Sequence, residues 1–148
     1  MLTTSTPPVN EVAGHLRLVV SRTARRLRQE AGADLSPSQI SALAAIDRHG
    51  PLTPSELAAH ERVQRPTATR VLTRLEEIGL IERAPDPADR RSSLISVSAA
   101  GRRLLGRQRS RKDQFLARRL AGLAPDEVAT LDRAAAILER LLDEDGRR

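Results

Sequence analysis

Two clusters of side chains in this sequence have the types and spacing to contact a polyanionic duplex. In the run Arg65-Pro66-Thr67-Ala68-Thr69-Arg70-Val71-Leu72-Thr73-Arg74, laid on a helix at about 100° per residue, Pro66, Thr69, Arg70 and Thr73 share one face. Arg65, Thr67 and Arg74 flank it. A guanidinium bonds a guanine edge through two donors or clamps a phosphate, while threonine and proline offer methyl or methylene surface to thymine. The second cluster is Asp86-Pro87-Ala88-Asp89-Arg90-Arg91, turn chemistry that ends in two cations. An arginine at the tip of a hairpin can enter a minor groove, where it is attracted most strongly to narrow, A·T-rich stretches. Asp89 repels phosphate as a charge, so its expected role is geometric. It would hold a neighbouring guanidinium, Arg90 or Arg91, in one direction and reduce the entropy lost on binding. The plain alternatives are a solvated amphipathic helix and an Asp-Pro turn with incidental charges.

These clusters need a helix and a hairpin to present them, and the punctuation of the chain supplies both. Ser36-Pro37-Ser38-Gln39 and Thr53-Pro54-Ser55-Glu56 each offer a hydroxyl N-cap, proline in the first turn and an amide or acid three residues on. Gly50 and Gly79 fall just past helical runs, where a left-handed residue is wanted. The resulting helices are expected at about Val9–Ala31, Pro37–Arg48, Pro54–His60 and Arg65–Ile78. Glu61-Arg62-Val63 joins the third to the fourth, a helix-turn-helix connection. On the fourth, Ala68, Val71, Leu72, Leu75 and Ile78 form the stripe expected to be buried. Leu80–Ala84 and Ser92–Val97 read as two strands around the acidic-then-basic turn. Ser98 can cap a fifth helix to about Ala121, and Pro125 opens a sixth to about Asp143. The first residues and Gly146 to Arg148 read as frayed tails.

The outer helices carry a different pattern. Val9, Val12, Leu16, Val19, Thr23 and Leu27, and in the last helix Val128, Leu131, Ala135, Leu138 and Leu142, recur at three- and four-residue spacing. Stripes of this length exceed what a small winged module can cover, so packing against a second copy is expected; packing within one chain is the alternative.

Charge narrows the reading further. The 148 residues carry a net charge of +6, which suits a polyanionic partner, and Lys112 is the only lysine. Yet from Leu52 to Val97 seven basic residues face seven acidic ones. The excess lies on the fifth helix, with eight basic residues between Ala99 and Ala121 against Asp113 alone. That helix can be a solvated or ion-paired face, a field that steers DNA, or a cationic pocket for an anion. The absence of cysteine excludes disulfides, zinc-cysteine sites and thiol redox sensing, and suits a cytoplasmic protein. No apolar run approaches the roughly 18 residues of a membrane span, and the N-terminus lacks the order of a signal peptide. His15, His49 and His60 have no ligand spacing, and no phosphate-loop, dinucleotide or nucleophile-elbow pattern occurs, so neither a metal, a cofactor nor an enzymatic activity is expected. What remains is a mainly α winged helix-turn-helix with a small β-hairpin, reading double-stranded DNA. Its competitor is a winged-helix module that contacts protein.

The chain resembles the MarR family of bacterial winged helix-turn-helix regulators. The resemblance rests on Thr53-Pro54-Ser55-Glu56-Leu57-Ala58, the run from Arg65 to Glu76, Gly79-Leu80-Ile81-Glu82-Arg83, Asp86-Pro87-Ala88-Asp89-Arg90-Arg91 and Val97-Ser98-Ala99-Ala100-Gly101. It implies a single domain over 1–148, with the DNA-binding module at 36–97 and dimerisation helices at 9–31 and 99–145. It also implies a homodimeric transcription factor, usually a repressor, on pseudo-palindromic operators. Pro66 and Arg70 would contact base edges; Arg65, Thr67, Thr69 and Arg74 would make other groove or phosphate contacts. Arg91 would enter the minor groove, with Asp89 orienting it and Arg90 on phosphate. A small-molecule effector stays open: members that bind aromatic acids often line the pocket with aromatic rings, and Phe115 is the only aromatic residue here.

Overall fold

Hydroxyl N-caps account for where three of the helices begin, at Ser36, Thr53 and Ser98. In the computed structural model, which describes residues 6–32 and 34–144, the order is α1 (Val9–Ala31), α2 (Pro37–His49), α3 (Pro54–Glu61), α4 (Arg65–Glu77), β1 (Ile81–Pro85), β2 (Ser93–Val97), α5 (Ala99–Leu120) and α6 (Pro125–Glu144). Both expected capping boxes form: the Ser36 hydroxyl accepts from the Gln39 N–H and the Thr53 hydroxyl from the Glu56 N–H, with Gln39 and Glu56 bonding back to the cap N–H groups. Residue 145, the last of the segment 99–145 expected to dimerise, and both expected tails, Met1 to Ser5 and Gly146 to Arg148, lie outside the described residues. The chain divides into two compact units, Met1–Arg111 and Lys112–Arg148, with the boundary inside α5.

In the first unit α2, α3 and α4 enclose an apolar core against the hairpin. Leu43 and Ile46 of α2, Leu57 of α3, Leu72 and Leu75 of α4 and Ile95 of β2 are its fully buried large side chains. Burying each such side chain contributes roughly 1.5–3 kcal/mol before conformational entropy is charged against it. Ala68 is buried on the same stripe of α4 and Val71 half-buried, as expected, but Ile78 is 39% exposed. The helix ends at Glu77, and Ile78 is its C-cap residue, at φ −89° and ψ 4°.

The hairpin pairs Ile81 with Val97, Arg83 with Ile95 and Pro85 with Ser93 in antiparallel register. Ile81, Ile95 and Val97 point to the core, and Glu82, Ala84 and Ser96 to the other face, as a period of two requires. A contact that periodicity did not reveal adds Leu52 to β2, through the Leu52 N–H to the Ile95 carbonyl at 3.0 Å and the return bond at 2.8 Å.

Two helix ends differ from the expectation. Gly79 has the left-handed φ of +77° that was anticipated, whereas Gly50 is extended at φ −72° and ψ 170°. Glycine is needed at position 50 for another reason: a Cβ there would run into the Ile46 carbonyl oxygen. The left-handed residue at the end of α3 is Arg62, with φ 53° and ψ 43°.

Ser98 ties the parts of the winged unit together. Its hydroxyl donates to the Gly79 carbonyl at 2.6 Å and accepts from the Gly101 N–H at 3.1 Å, while its own N–H reaches the Leu80 carbonyl at 3.0 Å. One buried side chain thus caps α5 and holds the turn between α4 and β1.

Outside this core α1 and α6 are largely exposed. α1 buries only Ala31, and its carboxyl end is held by the Arg111 guanidinium, which donates to the Ala31 carbonyl at 3.0 Å. Val12, Leu16 and Val19 of α1 are exposed. In the second unit, Leu131, Ile137, Leu141 and Leu142 of α6 are exposed as well. Among the described residues no helix is long and apolar enough to cross a membrane.

Candidate nucleic-acid interface

Burial on one side of α4 defines the face left on the other. Pro66, Thr69, Arg70 and Thr73 are all exposed, with Arg65 and Arg74 exposed beside them. Thr67 is the exception among the residues expected here. It is half-buried and lines a small apolar cleft with Ala42, Leu57, Val63, Ala68 and Val71, so less of it is available to a ligand. The Thr73 hydroxyl donates to the Thr69 carbonyl at 2.9 Å, which leaves its methyl and the acceptor side of its oxygen to a ligand. α4 begins without a side-chain cap, since Gln64 at its N-cap makes no such bond.

The tip of the hairpin is a rigidly hydrogen-bonded turn. The Asp86 N–H bonds to the Ser92 carbonyl at 3.2 Å and the Ser92 N–H to the Asp89 carbonyl at 3.0 Å. Asp86 Oδ1 accepts from the Ala88 N–H at 2.9 Å, and Asp89 Oδ1 from the Arg91 N–H at 3.0 Å. Asp89 was expected to hold an arginine side chain; it holds the arginine's backbone. The physical reason is proximity: a carboxylate two residues upstream reaches the main-chain N–H as an Asx-turn without extending a long side chain. Arg90 and Arg91 are exposed and, among the described residues, in no ion pair.

The charge balance of this unit has a structural resolution. Glu76 pairs with Arg83 at 2.7 Å and Glu77 with Arg74 at 3.4 Å. Glu56 serves the capping box, and its carboxyl is held below the ordinary value, chiefly by the bond from the Thr53 backbone. Asp86 and Asp89 serve the turn. Most of the acids are therefore occupied internally, whereas Arg62, Arg65, Arg70, Arg90 and Arg91 are exposed without an ion pair among the described residues. A module neutral by count thus keeps five exposed guanidinium groups that no acid engages among the described residues.

Helix-turn-helix and wing are the elements of a winged-helix module, and comparison with known proteins gives its family. The MarR family model matches residues 35–93. An uncharacterized HTH-type transcriptional regulator of Mycobacterium bovis is 40% identical over 90% of this chain and 94% of its own length. The multiple antibiotic resistance protein MarR of Salmonella typhimurium is 36% identical over 67% of this chain and 69% of its own. The chain belongs to the MarR family. The fold of this MarR-family regulator also matches the crystal structure of a putative transcriptional regulator from Pseudomonas aeruginosa, with a TM-score of 0.82, 39% identity and coverage of 93% of this chain and 99% of that one. As a MarR-family protein it is an HTH-type, DNA-binding transcriptional regulator, and α3, α4 and the β1–β2 hairpin are its winged helix-turn-helix.

Two features of the MarR-family module were not singled out from sequence. One is the Leu52 bridge, which is too short for any periodicity to reveal. The other is Arg62, whose left-handed backbone has no signature in an arginine. Among the described residues no cluster of three His, Cys, Asp or Glu could hold a metal ion, although His49 and His60 stack at 4.4 Å between ring centroids.

Proposed function

We propose that this regulator is a homodimeric repressor that occupies a pseudo-palindromic operator in double-stranded DNA, with one α4 in each of two major-groove half-sites. The observation that carries the reading is the exposed, unpaired set of Arg65, Arg70, Arg90 and Arg91 on α4 and the wing, opposite a buried stripe that fixes which way α4 faces.

Arg70 and Pro66 contact base edges, and Arg65, Thr69, Thr73 and Arg74 make flanking groove or phosphate contacts. Thr67 contributes at its margin. Arg91 enters the minor groove, Arg90 meets phosphate, and Asp89 orders the backbone that carries both. Residues 36–97 act as the reading module, and 9–31 and 99–145 as dimerisation helices of one functional domain. The exposed apolar residues of α1 and α6 support a partner copy, because leaving Val12, Leu16, Leu131 and Leu142 in water has no other compensation within either unit. Two-fold symmetry then sets the half-sites about 34 Å apart, one duplex turn. Such a protein works in the bacterial cytoplasm, where promoters are, and needs no enzymatic activity.

The test is titration of the duplex upstream of its own gene, with sedimentation of the free protein. Specific, strongly salt-dependent binding by a dimer is expected, and Arg70→Ala should cost roughly 1–3 kcal/mol on the operator. Wild-type affinity in both Arg70→Ala and Arg91→Ala would discard the assigned surface. A monomer that still binds the operator would discard the two-fold arrangement.

A further inference from the structure

We infer that Arg62, in the turn of the helix-turn-helix, is a DNA phosphate contact held in place by its left-handed backbone. The inference rests on the reading that α4 enters a DNA groove.

Arg62 ends α3 in a conformation that favours glycine, at φ 53° and ψ 43°. The motif around it is the ordinary one for such an ending, with the Arg62 N–H on the Ala59 carbonyl at 3.2 Å and the Val63 N–H on the Ala58 carbonyl at 3.0 Å. Those bonds use only backbone, so glycine would make them with less strain. The arginine side chain contributes nothing to the fold in return. It is exposed and has neither an ion pair nor a hydrogen bond among the described residues. A strained residue whose side chain is idle in the free protein points to an external partner.

The surroundings identify that partner as an anion. Three residues on, Arg65 opens α4, itself exposed and unpaired. The N-terminus of α4 lacks a side-chain cap, and the positive end of its dipole falls in the same short stretch of chain as these two arginines. Glu61 is the adjacent acid, half-buried at the end of α3. A phosphate of the strand that α4 approaches is the anion this cluster meets when the helix enters the groove. Sequence-independent affinity is the consequence, because phosphate carries no base identity.

The experiment compares wild type, Arg62→Gly, Arg62→Lys and Arg70→Ala by anisotropy titration of the operator duplex and a scrambled duplex across a salt series, together with thermal melting. Arg62→Gly is expected to melt at or above the wild-type temperature, because the strain is relieved. It should nevertheless bind both duplexes at least about tenfold more weakly, with a log–log salt slope shallower by about one for each protomer bound. Arg62→Lys should recover much of the lost affinity, and Arg70→Ala should lose chiefly the operator preference. Wild-type affinity and slope in Arg62→Gly would overturn the inference while leaving the reading surface intact. So would a loss confined to the operator, which would make Arg62 a base contact. If wild type binds neither duplex, the reading of α4 fails and this inference with it.

Discussion

Replacing Ser98 by alanine removes one hydroxyl that makes two bonds, and the structure allows the cost to be worked out. The bond accepted from the Gly101 N–H at 3.1 Å is the N-cap of α5, and losing such a cap typically costs about 1 kcal/mol. The bond donated to the Gly79 carbonyl at 2.6 Å is only partly shielded, so water can replace it and its net loss is about 0.5–1.5 kcal/mol. The backbone bond from the Ser98 N–H to Leu80 survives the substitution. The sum is about 2 kcal/mol, or roughly 4–8 °C in melting temperature for a chain of this size. Urea denaturation at a fixed protomer concentration is the assay, because an assembling protein's stability depends on concentration. The midpoint should fall while the m-value stays constant. A loss under about 0.5 kcal/mol would refute the reasoning, because exposed surface changes alone reach that size.

Three further outcomes follow from named contacts. Gly101→Ala should destabilise more than Ser98→Ala, because a Cβ at 101 would run into the Leu80 carbonyl oxygen and lie 2.7 Å from Val97 Cγ1; denaturation of the two variants side by side checks this order. Asp89→Ala should change the melting temperature little, since its bond to the Arg91 N–H lies at an exposed tip, yet weaken operator binding severalfold by loosening the wing; unchanged affinity would contradict that role. Glu56 has its carboxyl held below the ordinary 4.5 in the folded state, so its contribution is present above that pH and disappears as pH falls through the lower folded value. Glu56→Gln should therefore show a shallower loss of stability on acidification than wild type, measured by melting across an acid series.

The extent to which the chain was legible varies by kind of interaction. Helix starts were readable because a hydroxyl cap, a proline and an acid or amide act within four residues, as at Ser36–Gln39 and Thr53–Glu56. The exposed face of α4 was readable because burial of Ala68, Leu72 and Leu75 leaves only one side for Pro66, Thr69, Arg70 and Thr73. Ile78 was misplaced because periodicity tells which face of a helix is apolar but not how far along the helix the core covers it. Gly50 was assigned the wrong reason, since a glycine looks alike whether it serves a left-handed φ or a close approach to a carbonyl. Arg62 carried no sign of its conformation, because arginine has no preference for that region and the fold imposes it.

Sequence by itself determined the element order, the hairpin, the outward face of the fourth helix and the family resemblance, all of which depend on spacing along the chain. Tertiary structure alone decided what the charges do. Five of the seven acids of the winged module are engaged at the surface in a cap, two ion pairs and the turn, and five arginines are left without an ion pair among the described residues. A count along a sequence weighs every charge alike, whereas folding brings some opposite charges within bonding distance and leaves others facing water.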